Sequence, residues 1–240
     1  MTQPAGALLA LQEVDTAIDQ RRHRRATLSE RAELGSIDAA RAAAEAAQAE
    51  VTGRRDGIAA AQAAAEAELA ATEARMAAIR QRMAAGQAGT ARDVEAVNTS
   101  LEHLAARASH LEDDVLAAME EQGPLEEQIA VADGEQRRLA QRRSEVADAL
   151  GAAEAAIDTE LADLAARRDS ARHGVNAELL AIYDRLAARL GGVAVARLVG
   201  THCDGCHLTL PATELDRIRR GPSGALVYCD QCGRILVPPA

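Results

Sequence analysis

The chain has 240 residues, with 27 Lys plus Arg against 37 Asp plus Glu, a formal net charge of −10. With no Phe, no Trp and two Tyr, a large globular core built on aromatic mass is excluded. Ala, Glu, Arg and Leu at this density indicate long helices and coiled coil. Every basic residue is Arg, and the charge is uneven: residues 1–175 carry 31 acids against 20 Arg, whereas 193–240 carry four acids and five Arg. The long segment is therefore a poor general surface for nucleic acid. Met1 to Asp19 lacks the basic start and long apolar run of a signal peptide, and no stretch approaches the roughly 20 apolar residues of a membrane span. A cytoplasmic protein with reduced thiols and no membrane partner is the expectation.

Leu11, Val14, Ile18 and Leu28 form a first apolar stripe, in a helix expected to start after Pro4-Ala-Gly6. Its phase differs from that of the heptads after Glu33, which predicts a slip near Ser29–Glu33. Leu34, Leu69, Met76 and Met83 then fall at heptad a, and Ile37, Ala44, Val51, Ile58, Ala65, Thr72 and Ile79 at d. Arg41, Gln48, Arg55 and Gln62 interrupt the a line. Gly86-Gln-Ala-Gly89 stops this helix, and Thr90 with Asp93 makes a capping-box start for the next.

From Val94 the heptad is steady. Val94, Leu101, Ala108, Val115, Ile129 and Ile157 are among the a residues; Val97, Leu104, Leu111, Leu125, Leu139 and Val146 are among the d residues. The run predicts a strand on the order of 100 Å long, ending at His173-Gly174. A short turn between two long helices gives an antiparallel hairpin, in which facing residue numbers add to about 180. That register sets Gly57 opposite Gly123-Pro124, which predicts a bend with a kink at Pro124. The expected division is a hairpin over 1–174, with its tip near 86–91, and a C-terminal module over 175–240.

In that module Asn176 caps a short amphipathic helix over Ala177–Leu190, closed by Gly191-Gly192. Val193–Val199 and Leu208–Leu210 read as strands, Ala212–Arg219 as a helix opened by Pro211, Gly221–Gly224 as a loop, and Ala225–Tyr228 and Arg234–Val237 as strands. This core is small for an independent fold, so a metal is expected to supply much of its stability.

The metal signal is specific. The four cysteines stand as Cys203-Asp-Gly-Cys206 and Cys229-Asp-Gln-Cys232. Two CxxC pairs at this separation read as one closed tetrahedral Cys₄ zinc site, structural and with no ligand position left for water. A redox CxxC would need a βαβ context, which is missing here. His202 and His207 flank the first turn and read as solvent-facing or supporting groups, with replacement of a cysteine as ligand the alternative.

The run Gly191-Gly-Val-Ala-Val-Ala-Arg-Leu-Val, then Cys203 to His207, Leu210-Pro211, Arg219-Arg220-Gly221 and Cys229-Asp-Gln-Cys232-Gly233-Arg234-Ile235-Leu236 resembles the bacterial C4-type zinc ribbon family with an N-terminal helical hairpin. The resemblance implies zinc on Cys203, Cys206, Cys229 and Cys232. It also implies a non-enzymatic role in binding nucleic acid or transcription-related proteins; some members are tied to flagellar gene expression.

Arg219, Arg220 and Arg234, joined by Arg217, are the candidate nucleic-acid contacts, since Arg presents a fork of donors to phosphate. The opposing reading is a solvated surface. No Phe or Trp is available to stack bases, and Tyr228 beside a ligand is expected to be packed. Arg21-Arg22-His23-Arg24-Arg25 reads as a charged interhelical region facing Asp158, with a phosphate or acidic-partner site as the alternative, and Met76 and Met83 as seam packing with a partner surface as the alternative. A mainly α protein results: a long antiparallel coiled-coil arm carrying a zinc-ribbon head, binding a protein, a nucleic acid or both, with no small-molecule substrate. The alternative is an assembly protein in which zinc only stabilises the C-terminal fold.

Overall fold

The computed structural model describes residues 4–86, 89–220 and 225–238. Five helices and four strands occur in the order α1 (Pro4–Ala26), α2 (Ser29–Ala84), α3 (Ala91–His173), α4 (Ala177–Arg189), β1 (Val195–Val199), β2 (His202–Cys203), α5 (Ala212–Arg220), β3 (Val227–Tyr228) and β4 (Ile235–Val237). The chain divides into two compact units, one of Met1–Ala32 with Ala147–Ala240 and the other of Glu33–Val146.

The fold is a long helical hairpin followed by a small strand region bearing the cysteines. Within Glu33–Val146, Glu33 pairs with Arg142, Asp38 with Arg143, Gln62 with Gln122 and Glu68 with Arg107. Within the other unit, Asp15 pairs with Arg168, Arg21 with Glu160, Arg25 with Asp158 and Arg31 with Glu154. The two numbers of each pair add to between 175 and 185, which is the antiparallel register read from the turn. Of the basic run, Arg21 and Arg25 are thus interhelical, while Arg22 turns to Asp19 and His23 and Arg24 are exposed. Seam burial falls on the heptad positions: Ala108, Leu111, Leu125, Leu139, Val146 and Ile157 in α3, with Ile37, Thr72 and Met76 in α2.

The phase change in the first strand is a real break. α1 stops at Ala26, Thr27 and Leu28 lie outside helix, and α2 restarts at Ser29. At the tip, Gly86 and Gly89 take φ of +72° and +74°, the left-handed region that glycine enters without steric cost. Gln87 and Ala88 between them lie outside the described residues. The capping box forms: the Thr90 N–H donates to Asp93 Oδ2 at 2.7 Å and the Asp93 N–H points back at Thr90 Oγ1. The Thr90 hydroxyl also donates to Asp93 Oδ2, and this bond, with that from the Thr90 N–H, holds the Asp93 carboxyl below its ordinary pKa. α3 continues as one helix through Pro124, so the Gly123-Pro124 defect does not end it.

The C-terminal module is not self-contained. Its sheet has the order β2-β1-β4-β3, with β1 parallel to β4 and the other pairs antiparallel. Leu208–Leu210, expected as a strand, contributes only a bridge between Thr209 and His202. The expected Gly221–Gly224 loop lies outside the described residues. Alternation along β1 and β4 sends Val195 and Ile235 to one side and Ala196 and Leu236 to the other. The first side is closed by Leu8 and Leu11 of α1 and by Tyr183 and Leu186 of α4. A core that looked too small from residues 193–240 alone is therefore completed by the first helix of the chain. Gln12 fixes the junction: buried, it accepts from the Ala194 N–H at 2.7 Å and donates to the Gly192 carbonyl at 2.9 Å. Tyr183, fully buried, donates to Asp15 at 2.8 Å, and burial with that bond raises its pKa.

Replacing Gln12 with Ala strands a buried N–H and a carbonyl. The expected cost is about 1–3 kcal/mol, read as a lower denaturation midpoint of the zinc-saturated protein. An unchanged midpoint would show that Gln12 does not tie the first helix to the sheet.

Candidate metal centre

The two cysteine turns are built alike. In the first, the His207 N–H donates to the Cys203 carbonyl at 2.7 Å and the Cys203 N–H to the Leu208 carbonyl at 3.1 Å. In the second, Gly233 donates to Cys229 at 2.8 Å and Cys229 to Arg234 at 2.9 Å. Each turn folds back on itself and presents its two sulfurs together. The residue after the second cysteine is left-handed in both: His207 at φ 60° and Gly233 at φ 73°. Glycine fits there; histidine is strained.

The four Sγ atoms lie within 4.8 Å of one another, and Cys203 and Cys232 are 3.9 Å apart. A tetrahedron with Zn–S bonds of about 2.3 Å has edges of about 3.8 Å, so the donor set fits one zinc ion. Cys203 and Cys229 are buried; Cys206 and Cys232 are half-buried. Burial pushes the Cys203 thiol up to about 12, against backbone N–H groups of Cys206 and Gly205 directed at its sulfur. Burial also raises Cys229, opposed by the N–H groups of Cys232 and Gln231. At Cys232 burial acts upward too, but hydrogen bonds from the Arg234 backbone and guanidinium, with the Cys229 and Cys206 thiols, bring it down to about 7. A buried thiol that resists ionisation becomes a thiolate once a divalent cation replaces its proton.

Arg234 is built into this centre. Its Nε donates to the Val193 carbonyl at 2.9 Å and a terminal nitrogen donates to the Leu190 carbonyl at 3.2 Å. A Cβ at Gly205 would stand 2.5 Å from Arg234 Cδ and 2.9 Å from Ala196 Cβ, so only glycine admits the guanidinium stem there. The candidate nucleic-acid arginines are thus unequal. Arg234 serves α4 and the sulfurs, Arg217 pairs with Asp230 at 2.9 Å, and Arg220 pairs with Asp216 at 3.0 Å. Among the described residues Arg219 has no ion-pair partner.

Glu214 was not legible as a site residue. It is buried at 5 % exposure and accepts from the Asp230 N–H at 3.1 Å, so α5 grips the second cysteine turn. The only available signal was its place as the acid of the first helical turn after Pro211. His202 and His207 are exposed and lie outside the sulfur cluster. Tyr228 corrects the packing expectation: it sits on edge strand β3 and is 39 % exposed. Among the described residues no helix is long and apolar enough to cross a membrane.

Residues 202–236 match the C4-type zinc ribbon domain, and residues 11–191 match the CT398-like coiled coil hairpin domain. The chain belongs to the CT398-like coiled-coil hairpin family. The family match runs past α3 and through α4, the helix that packs with α1 over one face of the sheet. A solved structure from Mycobacterium smegmatis is similar over 100 % of both chains, with a TM-score of 0.74 and 26 % identity. CT398 from Chlamydia trachomatis shares the fold over 97 % of this chain and 96 % of its own, with a TM-score of 0.72 and 18 % identity. HP0958 from Helicobacter pylori does so over 97 % and 95 %, at 0.51 and 16 %. An uncharacterized protein of Mycobacterium tuberculosis is 29 % identical over 157 residues. That alignment covers 62 % of this chain and spans 61 % of the relative's length.

Two outcomes are expected. Purified under reducing conditions, the protein should carry about one zinc per chain by atomic emission, and Cys203→Ser should lose it. Because binding must expel the Cys203 proton, zinc affinity should fall as pH falls; retention of the metal at a pH well below the Cys232 value of about 7 with no loss of affinity would contradict this proton linkage. Separately, His207→Gly removes left-handed strain and should stabilise the zinc-loaded protein by about 1 kcal/mol. A destabilised variant would mean that the histidine side chain itself holds the turn.

Proposed function

We propose that this chain is a non-enzymatic zinc-stabilised adaptor whose ribbon docks on a protein of the transcription machinery. The observation that carries this reading is the closed donor set. Four thiolates fill the tetrahedral positions of one zinc and leave none for water or substrate, so the metal's contribution is to shape a surface. The ribbon exposes Val199, Leu208 and Tyr228 at 57 %, 51 % and 39 %, side chains of a kind suited to protein contacts. The arginines support nucleic acid less well, since Arg217, Arg220 and Arg234 are already engaged. The link to transcription rests on the family resemblance of the ribbon motifs.

The experiment is an affinity pull-down from cell extract with the zinc-loaded chain, run beside Cys203→Ser and Tyr228→Ala, together with a gel shift on single- and double-stranded DNA and RNA. Transcription proteins should be enriched on the wild type and lost with both variants. A gel shift abolished by Arg219→Ala, without protein enrichment, would replace this reading with nucleic-acid binding. Equal recovery on the Cys203→Ser control would remove the ribbon from the function.

A further inference from the structure

The middle of the hairpin carries a face that the seam does not use. In a two-stranded coiled coil the b and c positions point to water and are ordinarily polar. Here three consecutive heptads of α3 place Leu116-Ala117, Gly123-Pro124 and Ala130-Val131 at b and c, all exposed. Leu116 and Val131 are 58 % and 68 % exposed, and Met119, one turn from Leu116, is 56 % exposed. Among the described residues these are the large exposed apolar side chains of the hairpin, and they fall within one stretch of α3.

The same stretch is the most acidic part of the molecule. Between Arg107 and Arg137 there are nine Asp or Glu and no Arg or Lys. The facing segment, 44–72, adds five acids against two Arg. Elsewhere on the hairpin the carboxylates are widely used: Asp15, Glu33, Asp38, Glu154, Asp158 and Glu160 all meet an arginine. By contrast, among the described residues none of the seven carboxylates between Glu112 and Glu127 has an ion-pair partner. Gly123 adds a separate observation. It precedes Pro124, where a Cβ on a helical backbone would crowd the proline ring; apart from its chain neighbours, a Cβ there would meet nothing within 4 Å, so the helix surface is open at this point. An open notch between two apolar steps suits the close approach of another backbone.

We infer that this face of α3 docks a basic amphipathic helix of a partner protein. The heptad spacing of the apolar steps, about 10 Å, matches the i, i+7 spacing of an α-helix, and the flanking carboxylates call for Lys or Arg beside its apolar stripe. Phosphate-bearing partners are repelled by the same charge. A second copy meeting this face with its own would set carboxylates against carboxylates. The surface goes beyond the ribbon's proposed role and is tested apart from it.

The probe is a fluorescein-labelled synthetic peptide of about 21 residues, with Leu at heptad a and d and Lys or Arg elsewhere. A scrambled peptide of equal composition is the control. Anisotropy titrations of the full chain should show binding that weakens as NaCl rises from roughly 50 to 500 mM. Leu116→Ser/Met119→Ser/Val131→Ser and Glu120→Arg/Glu127→Arg should each weaken it at least about 10-fold. Ala130→Gln, at an exposed b position, should weaken it similarly while leaving the melting temperature unchanged, which separates a blocked surface from a damaged fold. Should the triple variant melt early, the other two, which leave the seam intact, carry the test. The inference fails if the amphipathic peptide does not bind, if the scrambled peptide binds within about 2-fold of it, or if the variants bind unchanged. It fails equally if sedimentation shows the free chain self-associating in a way that the triple variant abolishes, since a second copy would then be the occupant.

Discussion

Bringing four sulfurs within 4.8 Å of one another is the constraint on which the C-terminal module depends. Two buried cysteines, Cys203 and Cys229, are core residues of the cluster that also holds Ala196, Leu215 and Leu236. As neutral thiols they are small apolar groups that pack there at little cost. As thiolates without a cation they would be expensive buried charges. One divalent ion reconciles the two conditions, and by joining turns separated by α5 and β3 it closes the loop between them. The protein's own donors are arranged for that charged state: backbone N–H groups converge on Cys203 and Cys229, and the Arg234 guanidinium reaches Cys232. The same Arg234 tethers the α4 end through Leu190 and Val193, so the sulfur cluster and the helix before it share a residue.

The metal nonetheless does not carry the module alone. The sheet has strands of two to five residues, and one of its faces is covered by α1 and α4. Leu8 and Leu11 are both at 0 % exposure, and by transfer arguments burial of such a side chain contributes about 1.5–3 kcal/mol before cavity effects. The beginning and the end of the described chain therefore belong to one core. A boundary placed at residue 174 cuts through this core, and the Tyr183–Asp15 hydrogen bond lies across it.

What the sequence disclosed depends on how local each signal is. Heptads, the Thr90–Asp93 cap, the Asn176 cap and both cysteine turns depend on residues a few positions apart, and each was legible. The register was legible because one short turn fixes every later pair. The break at Thr27-Leu28 showed only as a change of phase. Features resting on long-range meetings were not visible: a glutamine at position 12 gives no sign that it will bond Gly192 and Ala194, and Glu214 gives none that it will reach Asp230. The parallel pairing of β1 with β4 is of the same kind. Tyr228 stands beside a ligand in sequence yet is exposed, because proximity along the chain does not fix burial on an edge strand, whose alternate residues turn outward. Arg234 reads in sequence like any other arginine near the ribbon. Its structural employment depends on Gly205, far away along the chain, leaving room for its stem.

The hairpin raises a question of uniqueness that apolar packing answers poorly. Its seam is rich in Ala, which buries little area and fits many partners, so sliding one strand past the other by a heptad changes apolar contact only modestly. Polar layers discriminate more sharply. Gln62 meets Gln122, and Gln48 meets both Gln136 and Asp133; a shift of seven residues would set Gln62 against Val115 or Ile129 and Gln48 against Ile129 or Arg143, leaving part-buried amide groups unmatched. The interruptions of the a line, which weaken the heptad as a stability signal, are the groups that select one register. A seam of small residues pinned by a few amide layers can thus keep the outward face of α3 in a fixed azimuth. That constancy is what a docking surface built from b and c positions requires.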